Sequence, residues 1–175
     1  MDVLGMSGSL RAASTNARLL RAAAKLAPDG MQFTFYDEQI AALPHFSPDL
    51  DGERAAAPPA VADLRRRLSA ADAVLICCPE YAHGVPGAFK NALDWIVSSG
   101  ELTDRPVALV MASASGAEHA RAALASTLRV MGANLVFERS LAFSPRYLGA
   151  DGSILDPEAE RAVREAVVAL SRPSP

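Results

Sequence analysis

AVLICCPEYAHGVPGAFKNALDW, residues 73–95, carries the change of pattern that decides the fold. Its first six residues are apolar without a break. Successive strand side chains point to opposite faces, so such a run is a strand with both faces dry. Polar Glu80, Tyr81 and His83 follow, with Gly84 and Gly87. Pro86 then opens a helix expected to run to Ser98, with Phe89, Leu93 and Ile96 at core spacing. A strand buried on both faces needs a covering layer on each side, which helices over a parallel sheet supply.

The same alternation recurs along the chain. Strands are expected at Met1–Met6, Gln32–Tyr36, Ala73–Cys78, Pro106–Ala112 and Ala133–Glu138. Helices are expected at Asn16–Ala27, Pro59–Ala70, Pro86–Ser98, Ala117–Met131 and Pro157–Leu170. Pro28-Asp29-Gly30 is a turn. LPHFSPDLDGERAAAPP, from Leu43 to Pro59, is too rich in Pro, Asp and Gly for regular structure. The pattern predicts an α/β fold with an open parallel sheet and helices on both faces, in a single domain over residues 1–175. No repeat, low-complexity segment or linker interrupts it. The tail SRPSP is expected to fray.

Half of the 175 residues are hydrophobic and the formal charge is −3, which gives no basic surface for nucleic acid. Arg65-Arg66-Arg67 is expected to be a solvated helix face. No stretch is long and apolar enough to span a bilayer, and no signal peptide is read at the N-terminus. The two cysteines, Cys77 and Cys78, are adjacent, which suits packing rather than a bridge or a metal site. The expected setting is a reducing cytoplasm.

SGSLRAASTNARLL, residues 7–20, lies where the first strand hands over to a helix. In open α/β sheets ligands bind beyond the carboxyl ends of the strands. Ser14, Thr15 or Asn16 can cap the helix, whose exposed N–H groups and dipole favour an anion. Ser9, Ser14 and Asn16 add donors, Arg11 adds a permanent charge, and Gly8 allows close backbone approach. The pattern is neither the dinucleotide fingerprint nor the Gly-Lys-Ser/Thr loop, so a single terminal phosphate fits best. Gly5-Met6-Ser7-Gly8-Ser9 falls one glycine short of a nucleophile elbow. A hydrolase using Ser7 or Cys78 is therefore the weaker rival. In the second loop, Tyr81 and the backbone around Gly84 can flank a flat heterocycle.

Taken together, GSLRAASTN and PEYAHGVPGAFKNALDW resemble the NAD(P)H-dependent FMN reductase family, and LPHFSPDL adds to the likeness. The resemblance covers most of the chain and implies a flavodoxin-like sheet of five parallel strands in order 2-1-3-4-5. It implies FMN as cofactor, NADPH or NADH as co-substrate, and a quinone, a similar small molecule or free flavin as acceptor. Ser9, Arg11, Ser14, Thr15 and Asn16 would then hold the phosphate. Pro79, Glu80, Tyr81, Ala82, His83 and Gly84 would border the flavin ring, with Ser113, Ser115 and Gly116 completing the pocket. Tyr81 and His83 are candidate proton donors. The resemblance also implies a homodimer or homotetramer, with contacts at the Pro86 helix and around His45 and Phe46. The chain departs from the family at Ala82, where Asn is usual, and at Ala117-Glu118-His119, where further glycines are usual. A flavodoxin-type electron carrier is the alternative, although its phosphate loop is rich in Thr and lacks the arginine.

Overall fold

The computed structural model describes residues 1–52 and 57–171. Residues 53–56 of the long loop and the last four residues of the tail lie outside the described residues, and with them most of the fraying expected at the tail. Strands β1 (Asp2–Ser7), β2 (Gln32–Tyr36), β3 (Ala73–Cys78), β4 (Pro106–Ser113) and β5 (Asn134–Ala142) form one parallel sheet in order β2-β1-β3-β4-β5. Helices α1 (Thr15–Lys25), α2 (Pro59–Ala70), α3 (Gly87–Asp94), α4 (Glu118–Val130) and α5 (Pro157–Leu170) connect and close it. Its topology is flavodoxin-like.

β3 explains the two covering layers. Val74, Ile76 and Cys78 pack with Leu64 of α2, Phe89 of α3 and Leu124 of α4. Ala73, Leu75 and Cys77 pack on the other face with Leu19 of α1 and Val163 of α5. All six side chains are buried, as an uninterrupted apolar run requires.

Three expectations are corrected. β5 continues four residues past Glu138 to Ala142, because β4 offers partners as far as Ser113. Arg139, one of the polar residues that hid this extension, is paired with Glu165 at 3.5 Å. α3 ends at Asp94 rather than Ser98, although Trp95 and Ile96 stay buried in the turn that follows. The segment after β2 contains two short 3-10 turns, Glu38–Ala42 and Pro48–Leu50, the second capped by Ser47 accepting from the Asp49 N–H.

The arginine run is only partly solvated. Arg66 and Arg67 pair with Asp63, while Arg65 turns inward to the Trp95 carbonyl and Asp51. Phe46 is half-buried and meets the Trp95 ring edge-on at 5.2 Å. Its N–H donates to Asn91 Oδ1, and both Asn91 and Trp95 donate to the Pro44 carbonyl. Asn91 and Trp95 thus anchor the long loop to α3.

Candidate functional site

The strand order reverses between β1 and β3, and the loops leaving them border a crevice. Loop one, Gly8–Ala13, lies directly on the end of β3: the Gly8 N–H donates to the Cys77 carbonyl at 3.0 Å. A Cβ on Gly8 would sit 2.2 Å from Cys78 Sγ and 3.3 Å from its Cα, so only glycine permits this path.

From there the chain curls into a cup of small hydroxyls. Ser7 is fully buried, and its Oγ accepts from the Ser9 N–H at 3.3 Å. Ser9 Oγ accepts from the Arg11 N–H at 3.4 Å. Ser14 caps α1, accepting from the Ala17 N–H at 3.2 Å. The Thr15 and Asn16 N–H groups therefore open the helix without intrahelical acceptors. The adjoining cavity, about 350 Å³, is lined by Ser9, Arg11 and Ser14 on one side and by Arg18, Arg21 and Asp37 on the other.

Asn16 does something the sequence did not suggest. Its Nδ2 donates to the Ala112 carbonyl at 3.1 Å, tying α1 to the end of β4. Its Oδ1 is buried without a hydrogen-bond partner among the described residues. Its main-chain N–H, at the start of α1, has no intrahelical acceptor and stays open towards an anion.

Loop two, Pro79–Pro86, is a tight turn. Tyr81 and Gly84 exchange N–H to carbonyl bonds of 3.0 and 2.9 Å. Both residues between them have positive φ, 49° at Ala82 and 60° at His83. That marks a type I′ turn, which favours Asn and Gly. Left-handed backbone costs an ordinary L-residue about 1–2 kcal/mol. Ala82→Asn should accordingly raise stability by about 0.5–1 kcal/mol, read as a higher urea midpoint at constant slope. An unchanged midpoint would show that the turn carries no strain.

Loop two is bound on both sides. The Tyr81 hydroxyl lies 3.5 Å from Ser9 Oγ in loop one. Glu80 Oε2 accepts from the Ala120 N–H at 2.9 Å, in the first turn of α4. α4 has no side-chain cap of its own, since Ala117 occupies that position at φ 62°. Glu80 serves as a cap supplied from another loop. Ser113, Ser115 and Gly116 form the third wall: the Gly116 N–H donates to the Ser113 carbonyl, and the two serine hydroxyls lie 3.3 Å apart. His119, not foreseen from the sequence, stacks on His83 with ring centroids 4.2 Å apart.

Neither cysteine is set up as a nucleophile. Burial pushes both cysteine thiols far above their usual range, with Cys78 adding to the effect at Cys77. Neither thiol should react with Ellman's reagent in the native chain, and both should do so in guanidinium. Rapid labelling of native protein would show that the end of β3 opens to solvent.

The crevice, its hydroxyl cup and the free start of α1 fit a flavin mononucleotide phosphate. A family model described as NADPH-dependent FMN reductase matches residues 1–146. An NAD(P)H-dependent FMN reductase of Pseudomonas aeruginosa is 33% identical over 97% of this chain and 93% of its own length. An NAD(P)H:quinone oxidoreductase of Solanum tuberosum is 30% identical over 97% of this chain and 91% of its own. FerB, a flavoenzyme NAD(P)H:(acceptor) oxidoreductase from Paracoccus denitrificans, superposes with a TM-score of 0.84 at 31% identity, over 97% and 94% of the two chains. With all five strands inside the matched residues 1–146, the chain belongs to the NADPH-dependent FMN reductase family.

Proposed function

We propose that the chain, an FMN-dependent NAD(P)H oxidoreductase of this family, passes reducing equivalents to a quinone or similar small acceptor in the crevice between loops one and two. The observation that carries this reading is the cup itself: the buried Ser9 and Ser14 line one cavity with Arg11 at the start of α1, where the Thr15 and Asn16 N–H groups have no intrahelical acceptors. Bound FMN would supply the two-electron chemistry.

The chain's own residues bind and orient. Ser9, Arg11, Ser14 and Thr15, with the Asn16 main-chain N–H, hold the phosphate. The Pro79–Gly84 turn presents the N–H groups of Ala82 and His83, without partners among the described residues, to the ring edge, and Ser113, Ser115 and Gly116 close the far side. Tyr81 and His83 are exposed at the mouth. A quinone that has taken up hydride needs one more proton, and these two groups are placed to give it.

In this reading the chain works in the cytoplasm as a homodimer or homotetramer. Among the described residues no helix is long and apolar enough to cross a membrane.

The test is an anaerobic visible spectrum of the purified chain with FMN, before and after NADPH. Direct bleaching of bound flavin, followed by recovery on adding a quinone, is expected. Bound flavin that bleaches only with a partner reductase would favour the electron carrier. No flavin binding would overturn the reading of the cup.

A further inference from the structure

Loop two is bent against its residue preferences. Ala82 and His83 both hold left-handed backbone, and Tyr81, Ala82 and His83 are all exposed, so burial does not fix the turn. A turn of this kind relaxes easily unless neighbouring structure over-determines it. Three contacts do so here: the Tyr81 hydroxyl near Ser9 Oγ, and two that land on the first turn of α4. Glu80 accepts from the Ala120 N–H, and the His83 ring lies on the His119 ring at 4.2 Å with 17° between planes.

The stack matters because of where it grips. Glu80 precedes the turn and holds its base. His83 is the second central residue, so His119 holds the tip. The tip carries the N–H groups of Ala82 and His83, which have no partner among the described residues. If the tip relaxes, those two donors rotate while the base stays in place.

We propose that His119 is a positioning residue of the flavin site: by stacking on His83 it keeps the strained turn in the form that aims these N–H groups at the ring. The assignment rests on the flavin reading given above. It needs only the planar face of residue 119, with no charge or proton. A phenyl ring can therefore replace the imidazole, and a methyl group cannot.

The test compares wild type, His119→Ala and His119→Phe at pH 8. Hydrogen exchange of the Gly84 amide, whose bond to the Tyr81 carbonyl closes the turn, is read on the flavin-free chain. FMN affinity is read by flavin fluorescence. His119→Ala should speed Gly84 exchange several-fold and weaken FMN binding about three- to tenfold, with the thermal midpoint nearly unchanged. His119→Phe should restore both to within about twofold.

Unchanged Gly84 exchange in His119→Ala would overturn the proposal, as would a phenylalanine variant that behaves like alanine. Faster Gly84 exchange in His119→Ala, together with a wild-type chain that binds no FMN, would support the clasp and sink the flavin reading, which keeps the two failures apart.

Discussion

Gly8→Ala should lower stability by about 2–3 kcal/mol and remove most FMN binding with it. The alanine methyl would arrive 2.2 Å from Cys78 Sγ, 3.1 Å from its Cβ and 3.3 Å from its Cα. The sulfur can rotate away only into a packed core, since Cys78 is wholly buried. Its Cα cannot retreat, because Cys77 beside it pairs with Ser7 and Cys78 with Met111. The strain therefore goes into loop one, which must lift off β3 and break the Gly8 N–H bond to Cys77. A urea midpoint gives the stability and fluorescence quenching gives the affinity. Cys78→Ala removes only the sulfur, so Gly8→Ala/Cys78→Ala should recover about half the loss, a non-additivity expected of groups in contact. Strict additivity would place the clash elsewhere. An unaltered midpoint and affinity in Gly8→Ala would mean that the loop does not lie on the strand.

Much of this fold is legible because it obeys local rules. The apolar run at Ala73–Cys78 has one stable solution, a strand covered twice, and every residue of it is buried. Ser14 is readable as a cap because capping needs a side-chain oxygen three residues before an orphan N–H. Other features depend on partners far away in sequence. Asn16 reads as a phosphate donor until its bond to the Ala112 carbonyl, 96 residues on, is seen. Glu80's part in capping α4, 40 residues later, likewise has no local signal. The left-handed pair Ala82–His83 is invisible because neither residue is Gly or Asn, the usual signals for such backbone. Arg139 and Ser140 hid the end of β5 for a related reason: polarity signals a strand's end only when the charges face water, and Arg139 faces Glu165. Apolar periodicity likewise overran the end of α3, since Trp95 and Ile96 pack in a turn as well as in a helix.

Arg11→Ala should cost about 10- to 100-fold in FMN affinity while leaving the fold intact. Three guanidinium groups line the cavity beside the cup, and their surroundings separate them. Arg21 is paired with Asp37 at 2.8 Å. Arg18 donates to the carbonyls of Leu148 and Gly149 at 3.5 and 3.3 Å. The Arg11 side chain is exposed and has no acceptor among the described residues. A cation held at a site without supporting an internal contact is available to a ligand, and its removal leaves no buried group unpaired. The urea midpoint of Arg11→Ala should thus match wild type. Riboflavin supplies the control, because it carries the same ring and ribityl chain without the phosphate. Its affinity should be nearly the same in the two proteins, so the preference for FMN over riboflavin collapses in the variant. Arg11→Lys keeps the charge without the planar fork and should fall between them. Raising ionic strength should weaken wild type more than Arg11→Ala, since screening acts on the charge that the variant lacks. Equal losses for FMN and riboflavin would show that Arg11 supports the ring or the loop instead, and would move the phosphate to the Ser14 end of the cup.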